Sequence, residues 1–232
     1  MSLKQAKGFW VPEKDASRIE MLDVYAGYPN TDIKKVDFAS SVCTSRRVAL
    51  DIGAHIGLTA LFMAKRFGCV HAFEAAPETY KAMWVNIKAS GSSNITAHNN
   101  IVGKAPGQLR FEYMPGHTQI SHALLDGETP KFPDSIVTDP IGVVTIDSYD
   151  FHEVDFIKLD VEGFETLVIE GAAETIKRCE PVIVLEQRGN EHAMHGTEAN
   201  EASKLLESWG MVQVPKMPFY KDRVYKFPSK IN

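Results

Sequence analysis

A glycine turn preceded by an acid is the first segment whose residue types are suited to chemistry. It follows an apolar run, residues 48–52, and precedes an amphipathic stretch, residues 58–67, so the pattern predicts a strand, a turn and a helix. Glycines at such a turn let a ligand approach the backbone and let the helix pack closely on the strand. The segment consists of Asp51, Ile52, Gly53, Ala54, His55, Ile56 and Gly57.

The charge of this turn argues against a dinucleotide. Dinucleotide-binding turns read G-x-G-x-x-G and hold a pyrophosphate on the amides of the helix N-terminus. Here His55 replaces the middle glycine, and Asp51 places a carboxylate beside the position of that anion. A carboxylate repels a pyrophosphate but attracts an ammonium or sulfonium group. The turn therefore indicates a positively charged nucleoside cofactor without phosphates, S-adenosylmethionine, and disfavours a nucleotide-dependent oxidoreductase or epimerase.

A second acid strengthens this interpretation. Glu74 follows the predicted strand 69–73 and lies 23 residues after Asp51. At this spacing an acidic side chain accepts hydrogen bonds from both ribose hydroxyls of a nucleoside. Asn99, at the end of the third predicted strand, has two open interpretations, which are contact with the adenine ring and capping of a turn.

Ionisable residues interrupt an otherwise apolar strand in the segment 154–165. If this strand continues to Glu162, alternation places Lys158, Asp160 and Glu162 on one face. Central parallel strands are normally apolar on both faces, and open α/β sheets bind ligands at the carboxyl ends of their strands. Glu186 ends the next predicted strand at the same edge. We therefore expect the catalytic residues to be Lys158, Asp160, Glu162 and Glu186.

Three roles remain open for this row of charges. Like charges in one pocket raise a pKa and create a proton acceptor that works near neutral pH. The row is also consistent with a structural ion pair between Lys158 and Asp160, or with oxygen ligands for a divalent cation. We assign no metal site from the sequence. The alternative proton acceptors are the loop histidines His117, His122 and His195.

Strands and helices alternate along most of the chain, which favours parallel strands in an α/β fold. A helical stretch is predicted over residues 165–178, and another over 199–209. The final strands, 210–214 and 223–227, have no helix between them and are expected to form an antiparallel pair at one edge of the sheet.

The predicted domain organisation is one α/β domain preceded by an N-terminal segment. Residues 1–46 are expected to form an N-terminal extension that packs on the core, and residues 47–232 a single domain. Residues 103–143 are the least regular part, rich in Gly, Pro, Ser and Asp, and are expected to form a lid or binding loop. Specificity for an acceptor would lie there and in residues 187–200.

At these residues the chain resembles the FkbM family of S-adenosylmethionine-dependent methyltransferases. The resemblance covers about residues 47–190, and five segments match in order and spacing, 48–57, 72–77, 94–99, 144–148 and 155–171. The family pattern has Asn where this chain has His55 and Pro where it has Ala75, and both positions lie in cofactor loops. The resemblance also supports an adenine contact for Asn99.

The resemblance implies a Rossmann-like class I methyltransferase fold. Its sheet has seven strands, mostly parallel with an antiparallel last strand, and helices cover both faces. It also implies methylation of a hydroxyl group on a sugar or small natural product, with S-adenosylhomocysteine as the cofactor product. The remaining alternative to an enzyme is a non-catalytic S-adenosylmethionine-binding module.

Composition narrows the partners and the compartment. The 25 Lys and Arg against 30 Asp and Glu give a net charge of -5, whereas nucleic-acid-binding surfaces have a basic excess. The three cysteines show no CxxC spacing, the first residues lack a signal-peptide core, and no apolar run approaches the roughly 20 residues that span a bilayer. We therefore expect a cytoplasmic protein with a small-molecule acceptor and neither a nucleic-acid nor a membrane partner. The sequence predicts no particular oligomeric state.

Overall fold

The computed structural model of the chain describes residues 2–29, 32–118, 121–186, 200–215 and 222–228. The N-terminal segment contains two antiparallel hairpins and two helices. In chain order these elements are β1 (Leu3–Ala6), β2 (Phe9–Pro12), α1 (Ala16–Met21), β3 (Val24–Tyr25), β4 (Tyr28–Pro29) and α2 (Ile33–Ser41). A short 3-10 helix, Glu13–Asp15, joins β2 to α1.

The alternating strands and helices begin where the sequence predicts. The elements are β5 (Val48–Ile52), α3 (Leu58–Ala64), β6 (Cys69–Phe73), α4 (Pro77–Ser90) and β7 (Ile95–His98). Proline at the first position of α4 fits a helix start, because that position has no intrahelical partner for an amide. Gly91 ends the same helix in the left-handed conformation, which glycine adopts without strain.

Residues 103–143 are more regular than their composition predicts. The segment contributes four of the five strands of a second sheet, joined by loops. The strands of this sheet are β8 (Ile101–Val102), β9 (Gly107–Tyr113), β10 (His122–Leu124), β11 (Ile136–Val137) and β12 (Ile141–Val144). Alternating side chains of β9, Leu109, Phe111 and Tyr113, pack toward the core, as the pleat of a strand requires.

The last part of the chain completes the main sheet. Its elements are β13 (Val154–Leu159), α5 (Glu165–Glu170), α6 (Ala173–Cys179), β14 (Val182–Leu185), α7 (Glu201–Ser208), β15 (Val212–Gln213) and β16 (Arg223–Lys226). The single helix predicted over 165–178 is two helices, because the chain breaks at Gly171. A Cβ atom at Gly171 would lie 2.0 Å from the carbonyl oxygen of Gly103, so only glycine permits this close approach.

Seven strands form the main sheet in the order β15-β16-β14-β13-β5-β6-β7. All neighbouring pairs are parallel except those that involve β16, which runs antiparallel to both of its neighbours. The predicted fold class, an α/β sheet whose last strand is antiparallel, is confirmed. The antiparallel strand lies one position in from the edge, because β15 pairs on its outer side.

Two apolar clusters cover the two faces of this sheet. One contains side chains of α2, α3, α4 and the N-terminal hairpins, and the other contains side chains of α5, α6, α7 and the second sheet. Phe156 belongs to the first cluster and Ile157 to the second, as strand alternation requires. No helix among the described residues combines the length and the apolar character needed to cross a bilayer.

Candidate active site

A cavity of about 310 Å³ lies at the carboxyl ends of β5, β6, β13 and β14. This volume is within the range of small-molecule sites, and the position is the one at which open α/β sheets bind ligands. Ten of the residues predicted from the sequence line it. They are Gly53, Ala54, His55, Ile56, Glu74, Ala75, Lys158, Asp160, Glu162 and Glu186.

The glycine turn is shaped by close backbone packing. Gly53 has φ of +79°, and a Cβ atom there would lie 1.8 Å from the carbonyl oxygen of Asp160. Only glycine therefore allows the turn to lie against the segment that follows β13. His55 adopts φ of +52°, a left-handed conformation that Asn and His tolerate better than most residues. This conformation explains why His55 can replace the Asn that the FkbM family pattern has at this position.

Glu74 holds the turn against the next strand. Its buried carboxylate accepts hydrogen bonds from the amide of His55 at 2.8 Å, the amide of Ala76 at 2.8 Å and the hydroxyl of Thr79 at 3.0 Å. Burial raises the pKa of Glu74, and these three hydrogen bonds oppose the rise. The side chain lines the cavity while it braces two loops, and its ribose contact remains a prediction.

Asn99 braces the same loop from the third strand. Its side-chain amide donates to the carbonyl oxygens of Glu74 and Ala75, both at 2.9 Å, which matches the turn-capping interpretation. Asn99 does not line the cavity, whereas the following Asn100, Ile101 and Val102 do. Ala75, Ile101 and Val102 give this end of the cavity an apolar lining. Such a lining suits the flat face of an aromatic ring such as adenine.

Lys158 connects the glycine turn to Asp160. Its Nζ atom lies 3.2 Å from Asp160 Oδ2 and 3.6 Å from Asp51 Oδ1, and it donates to the carbonyl oxygen of Gly53 at 3.3 Å. Burial by itself lowers the pKa of Lys158, but Asp160 and Asp51 outweigh burial, so the pKa is raised and the ammonium persists. Asp51 lies behind the cavity wall, fully buried, and accepts a hydrogen bond from Thr59 at 2.5 Å.

A second lysine, unpredicted from the sequence, organises Glu186. Lys35 of α2 is 1% exposed, and its Nζ atom lies 2.7 Å from Glu186 Oε2 and 2.6 Å from Asp222 Oδ2. It also forms an ion pair with Asp32. Burial raises the pKa of Glu186 to about 7, the charges of Asp160 and Asp32 act in the same direction, and Lys35 opposes them.

Asp32, Asp160 and Glu186 approach one another at the edge of the cavity. One carboxylate oxygen of each lies within 4.8 Å of the other two, a spacing compatible with a cation. Lys35 already supplies positive charge to Asp32 and Glu186, and Lys158 supplies it to Asp160. Carboxylates therefore lie close together at the sheet edge, as the sequence predicts. Two lysines from different elements, α2 and β13, balance their charge.

The prediction that Lys158, Asp160 and Glu162 share one face of a strand is wrong. β13 ends at Leu159, and Glu162 and Gly163 have φ of +50° and +98°. The strand ends because the chain turns here to start α5, so alternation does not extend to Glu162. Asp160 and Glu162 nevertheless reach the cavity, from the loop rather than from the strand.

Two of the alternative histidines, His117 and His122, do not line the cavity. His117 is exposed and contacts Arg18, with 3.3 Å between Nδ1 and the guanidinium. His122 is buried in the second sheet, where its Nε2 atom lies 3.2 Å from Glu112 Oε2. His195 lies outside the described residues.

The N-terminal segment contributes residues that sequence reasoning missed. Asp15, Arg18 and Asp32 line the cavity together with Thr118, which lies in the connection between β9 and β10. No local pattern distinguishes Asp15 or Arg18, because both occur among turn and helix residues of mixed polarity. Lys35 had one weak signal, a charge in a helix whose neighbouring positions Ile33, Val36 and Ala39 are apolar.

Comparison with known proteins decides the family. A family model described as the methyltransferase FkbM domain matches residues 51–212 of the chain. The chain belongs to the FkbM methyltransferase family. Membership in this family gives the chain S-adenosylmethionine as its cofactor, and it removes the oxidoreductase and epimerase alternatives. No significant sequence match is found among curated proteins.

A solved structure of an FkbM methyltransferase has the same fold. Methyltransferase FkbM from Methylobacillus flagellatus KT has a TM-score of 0.54 and 17% identity over 79% of this chain and 44% of that chain. The FkbM-family chain described here thus spans less than half of that protein's length. Trm5b from Pyrococcus abyssi has a TM-score of 0.49 and 13% identity, over 97% of this chain and 55% of that chain. SMU.1697c from Streptococcus mutans, solved in complex with SAH, has a TM-score of 0.46 and 12% identity, over 83% and 93% of the two chains.

Proposed function

We propose that this chain transfers the methyl group of S-adenosylmethionine to a hydroxyl group of a small, sugar-like molecule. One observation carries the proposal. A single cavity joins the glycine turn and Glu74 at one end with the carboxylates of Asp160 and Glu186 at the other. A cofactor and an acceptor that occupy one cavity are held next to each other, which is the main requirement of a direct group transfer.

The residues at the cofactor end fit S-adenosylmethionine. When bound, this cofactor supplies a methyl group on a positively charged sulfonium. Asp51 and Asp160 place negative charge behind and beside the turn, and among the described residues Lys158 is the one lysine that pairs with them. This excess of negative charge favours a cationic ligand over a pyrophosphate. We assign Gly53, Ala54 and Ile56 to the methionine portion, and Glu74 to the ribose. Gly57 ends the same turn, packs against Met83 and does not line the cavity.

The residues at the acceptor end fit a molecule with several hydroxyl groups. Asp160, Glu162 and Glu186 line this part of the cavity, and carboxylates accept strong hydrogen bonds from hydroxyls. Glu186, with its pKa raised to about 7, is suited to collect the proton of the reacting hydroxyl. Lys35 and Lys158 orient the carboxylates and so play positioning roles.

The charge of the chain supports a small acceptor rather than a nucleic acid. The net charge is -5, and the acceptor end of the cavity carries three carboxylates. A phosphate backbone would meet repulsion there, because nucleic-acid affinity depends on neutralising phosphates with Lys and Arg.

Two measurements on the purified chain test the proposal. Calorimetry with S-adenosylhomocysteine should show saturable binding, and a panel of sugars and small alcohols should contain acceptors that gain one methyl group by mass spectrometry. Binding without transfer to any hydroxyl acceptor would favour a non-catalytic cofactor-binding module. Transfer to an amine or to RNA in place of a hydroxyl would overturn the acceptor class.

A further inference from the structure

Three separate parts of the chain meet in one buried hydrogen-bonded series beside the glycine turn. His55 of the turn, Thr118 of the second-sheet region and Asp15 of the N-terminal segment all line the cavity. His55 Nε2 lies 2.7 Å from Thr118 Oγ1, and Thr118 Oγ1 lies 3.1 Å from Asp15 Oδ2. The amide of Thr118 also donates to Asp15 Oδ1 at 3.3 Å. Asp15 and Thr118 are 2% and 4% exposed, so water does not compete for these bonds.

The chemistry of the three groups fixes where each proton lies. An ionised carboxylate only accepts hydrogen bonds, so the single hydroxyl proton of Thr118 points to Asp15. Thr118 Oγ1 is then an acceptor toward His55, and His55 Nε2 must carry a proton. In a neutral imidazole the other nitrogen is an acceptor, so His55 Nδ1 presents a lone pair.

The lone pair of His55 Nδ1 is available to a ligand. Within the described parts of the chain, no hydrogen-bond partner contacts Nδ1, and the half-buried ring lines the cavity. The turn that carries His55 is the one assigned above to the methionine portion of the cofactor. That portion has one kind of hydrogen-bond donor, its ammonium group.

We propose that Asp15 and Thr118 are positioning residues that lock His55 in the Nε2-protonated form, so that Nδ1 accepts a hydrogen bond from the methionine ammonium of the cofactor. This inference rests on the proposed function and extends it to a subsite built by the N-terminal segment. A flipped tautomer would aim an N–H group at the ammonium and repel it. A neutral ring is also required, and burial lowers the pKa of His55 to about 4, with Asp15 opposing the shift.

The N-terminal segment is anchored well enough to serve this role. Asn86 of α4, which is buried, accepts from the amide of Trp10 at 2.7 Å and donates to the carbonyl oxygens of Trp10 at 2.8 Å and Ile56 at 2.9 Å. One side chain thus ties β2 to the residue after His55. Asp15 follows β2 by a few residues, so its position relative to the turn is defined.

Calorimetry with two ligands tests the proposal. S-adenosylhomocysteine carries the ammonium, whereas methylthioadenosine lacks the whole amino-acid portion. Thr118→Val removes the hydroxyl with little change in shape and should weaken S-adenosylhomocysteine about tenfold while it leaves methylthioadenosine within about twofold. Thr118→Ser retains the hydroxyl and should restore the affinity. Thr96→Val, at an exposed position on β7, is the matched control and should change neither affinity.

A double-variant cycle separates positioning from general damage. If Thr118 acts through His55, then His55→Ala and His55→Ala with Thr118→Val should bind S-adenosylhomocysteine equally weakly. Nitrogen NMR of the histidine side chains should show that His55 of the wild type is protonated at Nε2. This measurement does not depend on whether a variant folds. Equal weakening of both ligands in Thr118→Val, additive losses in the cycle, or an Nδ1-protonated ring would each overturn the proposal. Failure of the wild type to bind S-adenosylhomocysteine at all would instead refute the proposed function on which it rests.

Discussion

Asp51 and Lys158 are direct register partners on the adjacent parallel strands β5 and β13, and their charged atoms lie 3.6 Å apart within the sheet. Both side chains lie on the face of the sheet that otherwise carries apolar residues such as Ala49 and Phe156. The pair is buried, with 0% and 3% of the two side chains exposed. Buried charges are retained only when they are paired, so this relationship holds the cofactor turn and the acceptor wall in fixed relative positions.

Lys158→Met should therefore destabilise the fold. It leaves Asp51 and Asp160 without their shared cation, and the expected loss in the free energy of unfolding is about 3 to 5 kcal/mol, measured by urea denaturation. Adding Asp51→Asn should recover part of the loss, because it removes one uncompensated charge. A loss below about 1 kcal/mol for the single variant would show that the ion pair contributes little.

Glu74→Ala should weaken cofactor binding. The carboxylate braces the His55 amide and is assigned to the ribose, so its loss removes charge-assisted hydrogen bonds worth about 1.5 to 3 kcal/mol each. Calorimetry with S-adenosylhomocysteine should show at least roughly tenfold weaker binding. Glu174→Ala, on the exposed surface of α6, is the control. Unchanged affinity in the Glu74 variant would remove this residue from the site.

Asp160→Asn should slow methyl transfer without loss of cofactor. The amide keeps the shape but removes the charge at the acceptor wall, so turnover should fall by roughly 10² or more while the affinity for S-adenosylhomocysteine stays within a few fold. Steady-state kinetics and calorimetry on the same preparation measure the two effects. If the variant unfolds instead, the contact of 3.2 Å with Lys158 is a structural ion pair and the catalytic assignment fails.

The dependence of turnover on pH should follow the ionisation of Glu186. The residue collects a proton only in its ionised form, and its pKa is raised to about 7, so the rate should be low in acid and rise as the pH increases through about 7. Glu186→Gln should lower the rate and abolish this limb of the profile. A wild-type profile that is flat between about pH 6 and 8 would refute this assignment. Loss of activity with a chelator and recovery with a divalent cation would make the same carboxylates metal ligands.

The sequence predicts the fold because local patterns determine most of it. Apolar runs of strand length alternate with amphipathic stretches of helix length, and such repeats have one common solution in a parallel sheet. Glycine at position 53 and acids at positions 51 and 74 are also local signals, since a strand, a turn and a helix fix their separation. For this reason residue types and spacing alone predict that the glycine turn and Glu74 lie at one site, and the structure places them in one cavity.

Only the tertiary structure shows how distant parts of the chain complete both ends of the cavity. Glu186 meets Lys35 across 151 residues of chain, and Thr118 meets Asp15 across 103. No periodicity encodes such contacts, because they depend on where the N-terminal segment packs after the sheet has formed. The sequence also did not predict that β13 ends at Leu159. Glu162 and Gly163 adopt left-handed backbone conformations, which the alternating pattern of charges does not indicate. Sequence determined which groups are available for chemistry, and tertiary packing decided which of them meet, because burial and charge pairing act between segments that are distant along the chain.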